Sequence, residues 1–381
     1  MRPLVASLNS GLQGKIILPG DKSIAHRAVI LSALAQGKTV IKNFPLNQDC
    51  LATAGVFKKL GVRIVINKAS CQAVIYGSGL YGLKKPACVI HIKESGTTFR
   101  LLLGVLAGQD FKTKLSAGPS LSRRPMLRVI HPLRLMGASV GARKVKKEAY
   151  SPLVIQDGHL KGITYKLPVA SAQVKGALLL AGLFAQGKTT LIEPLKTRDH
   201  TERMLKLFKA GPVVKGNTIS IKGLSRLVSP ASLYIPGDIS SAAFFMVGAG
   251  IIPGSKVLIK DVSLNPGRVG IIKVLKSMGA AIKIRKSRLR FQGNEPTGDI
   301  LARSSCLRGI KIKRKEIPSL IDELPVLMVA ACFAGGKSIF EGVGELRVKE
   351  TDRVQSMLAN LVKMGARIRV VRSNGREDII I

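Results

Sequence analysis

Val354-Gln355-Ser356-Met357-Leu358-Ala359-Asn360-Leu361-Val362-Lys363-Met364-Gly365-Ala366-Arg367-Ile368-Arg369-Val370 places apolar residues at 354, 357, 358 and 361, then a glycine, then Ile368 and Val370. The first spacing is one face of a helix, and the glycine suits the left-handed position that closes one. The β-branched residues beyond it start a strand. The same helix end, glycine and strand start recur at Lys59-Leu60-Gly61-Val62-Arg63-Ile64, Leu135-Met136-Gly137-Ala138, Lys209-Ala210-Gly211-Pro212 and Ser277-Met278-Gly279-Ala280. A second glycine lies 24 to 29 residues before each: Gly37, Gly108, Gly187, Gly254 and Gly336, all following apolar segments such as Ala177 to Ala185. Each unit therefore reads helix, Gly, strand, helix, Gly, strand. Intervals of 68 to 86 residues are too long for a solenoid repeat and suit a repeated α/β subdomain.

A higher-order duplication lies above the units. Pro19-Gly20-Asp21-Lys22-Ser23 is echoed by Pro236-Gly237-Asp238-Ile239-Ser240, each opening an apolar helix. Three units close after the first signature and two after the second, so equal halves need a sixth unit, which would begin where the sequence reaches Ile381. The expectation is a pattern short of completion by roughly 40 to 60 residues. Residues 21–235 form one domain, and residues 1–20 with 236–381 form the other, discontinuous and missing its last unit.

Composition bounds the function. A length of 381 residues fits two domains, and 46% apolar content excludes disorder. Aromatics at 4%, with no Trp, argue against base stacking as a binding device. The balance of 61 Lys+Arg against 22 Asp+Glu, a net +39, asks for anionic partners. The cations are spread along the chain, with clusters at Arg143 to Lys147 and Lys311 to Lys315, so a generally basic surface accounts for them as well as a nucleic-acid face does. Cys50, Cys71, Cys88, Cys306 and Cys332 form no Cys-x-x-Cys pair and fit a reducing compartment. The five histidines show no ligand spacing, so no metal is expected. With no signal-peptide pattern and no apolar run near ~18 residues, the expected location is the cytoplasm.

Two phosphate-loop patterns fail on context. Gly182-Leu183-Phe184-Ala185-Gln186-Gly187-Lys188-Thr189 matches a P-loop, yet that loop leaves a strand and enters a helix, whereas here Gly187 ends a helix and Thr189 to Ile192 read as a strand. Gly77-Ser78-Gly79-Leu80-Tyr81-Gly82 precedes the strand-like Cys88 to Ile92 instead of a helix, so it reads as a turn.

The chemistry concentrates at helix starts. After the strand Ile16-Ile17-Leu18, a helix opens with Lys22 and Ser23 and carries Arg27 one turn on. Free amides, the positive dipole end, an ammonium and a guanidinium together favour a phosphate or carboxylate; capping by Asp21 or Ser23 is the other use of these residues. Ser95-Gly96-Thr97-Thr98-Phe99-Arg100, Ser171-Ala172-Gln173 and Ile317-Pro318-Ser319-Leu320-Ile321-Asp322-Glu323-Leu324-Pro325 open other helices. Leu121-Ser122-Arg123-Arg124-Pro125-Met126 and Arg347-Val348-Lys349-Glu350-Thr351-Asp352-Arg353 add further charge. If the units stack by pseudo-symmetry these ends converge, and Asp322, an acid among cations, becomes a candidate base.

These motifs, in order along nearly the whole chain, together with Ser-Ala-Gln-Val-Lys at 171, Arg-Asp-His-Thr-Glu-Arg-Met-Leu at 198 and Asp-Glu-Leu-Pro at 322, resemble the EPSP synthase family of enolpyruvyl transferases. The resemblance implies an α/β fold, a two-domain inside-out α/β barrel of three βαβαββ units per domain (the last incomplete here), closing on substrate. It implies transfer of the enolpyruvyl group of phosphoenolpyruvate to the 5-hydroxyl of shikimate 3-phosphate with release of phosphate, as in aromatic amino-acid biosynthesis. Lys22, Ser23 and Arg27 would hold shikimate 3-phosphate, with Lys22 also near phosphoenolpyruvate. Ser171, Gln173, Asp322 and Lys349 would hold the rest of the shikimate; Arg198 would join them, although the Thr197 before it departs from the family's pattern. Gly96, with Thr97 beside it, Arg124, Gln173 and Arg353 would form the phosphoenolpyruvate side, Gly96 resembling the small residue that leaves room for the inhibitor glyphosate. Asp322 would take the hydroxyl proton while Glu350 or Lys22 protonates the methylene carbon. The resemblance asks for no cofactor, metal, membrane or nucleic acid, and for a monomer.

The departures are specific. A further Asp-His-Arg helix start and a late Lys-Ser-Phe-Pro loop of the family, supplying an Arg and a Lys to phosphoenolpyruvate, do not occur, which agrees with the repeat count and predicts an unclosed last unit with an open sheet edge. Glu94 stands where the family often has Asn. A UDP-N-acetylglucosamine enolpyruvyl transferase is disfavoured because neither its Lys-Asn signature nor a Cys in the Arg124 loop is present, and RNA 3′-phosphate cyclase because its His motif is not recognisable. The competing reading from another class is an impaired remnant that binds polyanions or RNA through its charge.

Overall fold

A computed structural model describes residues 11–156, 159–223, 226–286, 295–373 and 376–381. The chain divides into a larger compact unit, Pro19–Pro236 with Arg290–Glu295, and a smaller one, Met1–Leu18 with Gly237–Leu289 and Pro296–Ile381.

The larger unit contains three sheets built to one plan. In the first, helices α1 (Lys22–Leu34) and α2 (Gln48–Lys59) accompany strand Ala35–Lys42, which pairs antiparallel with Gln72–Ser78, itself bordered by Arg63–Asn67. In the second, α3 (Gly96–Leu106) and α4 (Leu127–Leu135) accompany Ile90–His91, parallel to Thr113–Ser116, followed by Glu148–Gln156 and edge strand Ser139–Val145. In the third, α5 (Ala172–Gly182) and α6 (His200–Leu207) accompany Thr164–Lys166, parallel to Lys188–Ile192, then Thr218–Lys222 and edge strand Val213–Lys215. The first sheet takes its parallel strands, Leu227–Val228 and Ser232–Tyr234, from the far end of the unit. Each sheet is thus one βαβαββ unit whose final hairpin folds back, leaving its first strand at the edge.

Two sheets of the same plan form the smaller unit. Gln13–Ile17 runs parallel to Lys256–Ser263, followed by Thr297–Arg303 and edge strand Ala281–Lys286, with α7 (Ile239–Ile251) and α8 (Gly270–Ser277). Lys311–Ile312 runs parallel to Ile339–Phe340, followed by Arg376–Ile380 and edge strand Arg369–Ser373, with α9 (Ile317–Leu320), α10 (Leu324–Cys332) and α11 (Arg353–Lys363). The count of three sheets against two, among the described residues, follows the repeat arithmetic. The expected unclosed final sheet is corrected: strand Arg376–Ile380 is paired on both sides, and Ser338 and Ile381 exchange backbone hydrogen bonds of 2.7 and 3.0 Å. Its edges are Lys311–Ile312 and Arg369–Ser373, the two positions left open in the other sheets.

The helices explain where the cores lie. α1, α3 and α5 are apolar on nearly every side and are buried accordingly, each against its own sheet, with α3 packed on both α5 and α1. α3 and α5 meet backbone to backbone, since a Cβ on Gly104 would lie 2.0 Å from the Ala177 carbonyl oxygen. In the smaller unit, α7 and α10 supply Met246, Val247, Leu327 and Met328 to the core, while Phe244 and Phe333 stay exposed. The helix-closing glycines 61, 137, 279 and 365 have φ between +88° and +104°; at α6 the expectation is corrected, because the helix ends at Leu207 and Lys209, at φ +63°, takes the left-handed closing position two residues before Gly211. Of the earlier glycines, Gly108 lacks a left-handed φ and is required because a Cβ there would meet Phe184 Cγ at 2.1 Å. Gly37 falls two residues inside its strand, because Ala35 turns extended directly after α1. On α11 the stripe is only partly covered: Val354 and Leu361 are buried, Met357 and Leu358 half-buried. Among the described residues no helix is long and apolar enough to cross a membrane.

Candidate functional site

In the larger unit, the N-terminal turns of α1, α3 and α5 are each capped. Asp21 Oδ1 accepts from the Ile24 amide at 3.0 Å, Ser95 Oγ from Thr98 at 3.3 Å and Ser171 Oγ from Val174 at 3.4 Å. Hydrogen bonds tie the three turns together. His26 Nδ1 on α1 lies 2.6 Å from Thr53 Oγ1, Thr53 lies 2.7 Å from Thr98 Oγ1 on α3, and Thr98 Oγ1 donates to Ser95 Oγ at 2.7 Å. Gln173 Nε2 on α5 donates to Thr97 Oγ1 at 2.9 Å, and Arg100 Nη1 donates to Gln173 Oε1 at 2.6 Å. Burial, helped by Lys22 and Arg27, pushes the His26 imidazole down to about 3, so it is neutral in the folded protein at ordinary pH.

Cations gather at the start of α1. Arg27 is buried, donating Nε to Thr201 Oγ1 at 2.7 Å and Nη1 to the Ser23 carbonyl at 2.8 Å. Arg198 Nη1 donates to Ser23 Oγ at 3.4 Å. Burial and then the neighbouring Arg198 lower the Arg27 guanidinium to about 10. Two guanidinia on one serine repel each other, and an anion between them relieves that repulsion. Lys22 Nζ, more exposed, lies 3.0 Å from Asp49 Oδ2.

A second polar corner surrounds Gly96. A Cβ there would lie 2.7 Å from Arg124 Nη1, 3.2 Å from Arg100 Nη1 and 3.4 Å from Leu121 Cδ1, so the bare glycine is what lets two buried guanidinia approach the start of α3. Glu94, the departure from the family's pattern, holds the neighbouring turn: its Oε2 accepts from the Leu121 amide at 2.7 Å and Oε1 from Ser120 at 3.3 Å.

The smaller unit carries the acidic residues. Arg353, which follows the α11 cap Asp352, links them: its Nη1 lies 3.6 Å from Asp322 Oδ1, in the turn between α9 and α10, and its Nη2 is 2.6 Å from Glu350 Oε2. Lys349 Nζ lies 3.8 Å from Glu345. Beside Asp322, buried Glu323 accepts from Ser240 Oγ and faces Arg268 at 3.5 Å, which braces the turn against the start of α7.

Lys22, Ser23, Arg27 and Arg198 therefore form one group, and Gly96, Thr97, Arg124, Ser171 and Gln173 line a second, both in the larger unit. Asp322, Glu350 and Arg353 form a third in the smaller unit, with Lys349 turned to Glu345. Sequence reasoning passed over Arg100, Lys175, Asp49 and Thr201. For the first two a signal existed: each is a cation near the start of a helix that is otherwise almost wholly apolar, as Arg27 is in α1. Among the described residues no three His, Cys, Asp or Glu side chains are grouped to hold a metal ion.

The sequence model of the family described as EPSP synthase (3-phosphoshikimate 1-carboxyvinyltransferase) matches residues 8–378. The chain is 47% identical over 358 residues to the 3-phosphoshikimate 1-carboxyvinyltransferase of Bacillus cytotoxicus, covering 94% of this chain and 83% of that one. It is 49% identical over 359 residues to that of Geobacillus kaustophilus, covering 94% and 82%. Among solved structures, the EPSP synthase of Acinetobacter baumannii superposes with a TM-score of 0.83 at 43% identity, over 97% of this chain and 82% of that one. The enolpyruvyl transferase NikO of Streptomyces tendae shares the fold with a TM-score of 0.72 at 15% identity, over the same shares.

Proposed function

The chain belongs to the EPSP synthase family, and on that premise we propose how its residues carry the enolpyruvyl group of phosphoenolpyruvate to the 5-hydroxyl of shikimate 3-phosphate with release of phosphate. The observation that supports this reading is the convergence of Arg27 and Arg198 on Ser23 at the start of α1, a cationic pocket for a phosphate or carboxylate with Lys22 at its edge. Ser171, Gln173, Asp322 and Lys349 hold the shikimate, and Gly96, Arg124 and Arg353 the phosphoenolpyruvate. Gln173 serves both, because Arg100 and Thr97 fix its amide in one orientation.

Asp322 takes the proton of the 5-hydroxyl as that oxygen bonds to the central carbon of phosphoenolpyruvate, and Glu350 or Lys22 delivers a proton to the methylene carbon. Phosphate then leaves the central carbon while the neighbouring carbon, now a methyl group, gives up a proton, and the double bond between the two is restored. Basic side chains offset the charge of two polyanions throughout. On this reading the protein is a cytoplasmic monomer whose two compact units act as domains.

The test is a thermal-shift titration with shikimate 3-phosphate, with UDP-N-acetylglucosamine and inorganic phosphate as controls, followed by phosphate release on adding phosphoenolpyruvate. Ligand at 100-fold above its dissociation constant adds about 2.7 kcal/mol. A shift selective for shikimate 3-phosphate is expected, and none would refute the reading. Asp322→Ala should keep a near-wild-type melting temperature without ligand and lose turnover, since Asp322 is a third exposed and outside the core; unaltered turnover removes it as the base.

A further inference from the structure

Beneath the phosphate corner lies a charge cluster that the reaction does not use. Lys175 on α5 is buried, with Nζ 3.1 Å from Glu193 Oε2 and 2.7 Å from Glu202 Oε1, both carboxylates buried as well. Glu202 Oε2 is buried with no hydrogen-bond partner, and burial raises the Glu202 pKa against the opposing pull of Lys175. The cost of taking three charges out of water can exceed what their pairing returns, and apolar residues of similar volume are often as stable. Stability alone therefore does not explain the cluster, and its geometry offers another use.

Glu193 follows strand Lys188–Ile192. Its second oxygen, Oε1, accepts from the Thr197 amide at 3.1 Å and from the Thr197 hydroxyl. The next residue is Arg198, whose guanidinium reaches Ser23. The residue that departs from the family's pattern, Thr197, thus turns its hydroxyl onto a carboxylate that Lys175 clamps from below. We propose that Lys175, Glu193 and Thr197 form a positioning relay that sets Arg198 against Ser23 and so fixes the affinity for shikimate 3-phosphate. None of the three touches substrate; they act through Arg198. This inference rests on the reading of Ser23 and Arg198 as phosphate ligands.

The experiment compares wild type with Thr197→Val, Thr197→Ser and Lys175→Met, measuring the shikimate 3-phosphate Kd by calorimetry and the melting temperature of each. Thr197→Val removes only the hydroxyl and keeps the backbone bond. It should weaken binding about tenfold, equivalent to about 1.4 kcal/mol, with a near-wild-type melt. Thr197→Ser should restore the affinity, which a purely structural role does not predict. Lys175→Met should weaken binding at least as much as Thr197→Val; if it does not fold, the two Thr197 variants decide the proposal. Unchanged Kd in Thr197→Val, or no rescue by serine, overturns the relay. Absence of shikimate 3-phosphate binding by wild type would instead overturn the reading of the site, so the two failures are distinct.

Discussion

Gly96→Ala tests the phosphoenolpyruvate corner at a single atom. The added Cβ would lie 2.7 Å from Arg124 Nη1, and ordinary contact begins at about 3.5 Å, so the guanidinium must retreat by about 0.8 Å. Arginine is long enough to move without disturbing the core, and alanine suits the first turn of α3 at least as well as glycine. The strain should therefore appear in binding and not in stability. A retreat of that size takes a hydrogen bond of about 2.9 Å beyond the useful range, and one to a charged group contributes about 1.5 to 3 kcal/mol. KM for phosphoenolpyruvate, measured by phosphate release at saturating shikimate 3-phosphate, should rise roughly ten- to a hundredfold. Calorimetry should find shikimate 3-phosphate affinity within about twofold of wild type, because Ser23, Arg27 and Arg198 are untouched. An unchanged KM refutes the placement of phosphoenolpyruvate against Arg124, and a collapse of the melting temperature refutes the claim that the side chain absorbs the strain.

Two further outcomes are expected. His26 has its pKa depressed from 6.5 to about 3, so the unfolded chain binds the proton first; stability is complete above pH 6.5 and falls as the pH drops toward 3, at about 1.4 kcal/mol per unit. Urea unfolding at pH 7 and pH 5 should show wild type losing about 2 kcal/mol more than His26→Gln, and equal losses would contradict the neutral, buried imidazole. Gly104→Ala places a Cβ 2.0 Å from the Ala177 oxygen, so α3 and α5 must separate and overpacking should cost about 1 to 3 kcal/mol; an unaltered melting temperature would mean that the helices do not cross at that point.

What could be read from the chain was what local physics writes into it. Gly61, Gly137, Gly279 and Gly365 close helices through a backbone conformation that other residues resist, so each is visible without tertiary context, whereas α6 is closed by Lys209 and not by Gly211. Lys22, Ser23 and Arg27 were visible because charge at a helix start is a short-range pattern. The buried links were not: Arg100 with Gln173, His26 with Thr53 and Lys175 with Glu193 join α3 to α5, α1 to α2 and α5 to the loop after strand Lys188–Ile192, and only tertiary packing brings such residues together. Gly108 misled for the same reason, its constraint being the ring of Phe184 and not its own φ. The edge of the fifth sheet depends on which way its last hairpin folds, and no periodicity records that.

One βαβαββ plan recurs in the five sheets of the described residues, and the chemistry differs by what each copy does at the start of its first helix. In α1 the cap Asp21 leaves Ser23 to Arg198, and Arg27 is held one turn below by Thr201, so the positive end stays cationic and suits a phosphate. In α7, which repeats the same Pro-Gly-Asp start, Arg268 contacts Asp238, Ser240 and Glu323, so that end is neutralised from within. The consequence falls on Asp322, next in sequence to Glu323: its turn is braced by an internal ion pair while its own carboxylate remains a third exposed and within 3.6 Å of Arg353. If Asp322 is the base proposed above, it must be held in place, and Arg268 braces its turn through Glu323, whereas at the start of α1 the guanidinia of Arg27 and Arg198 are left to face an anion.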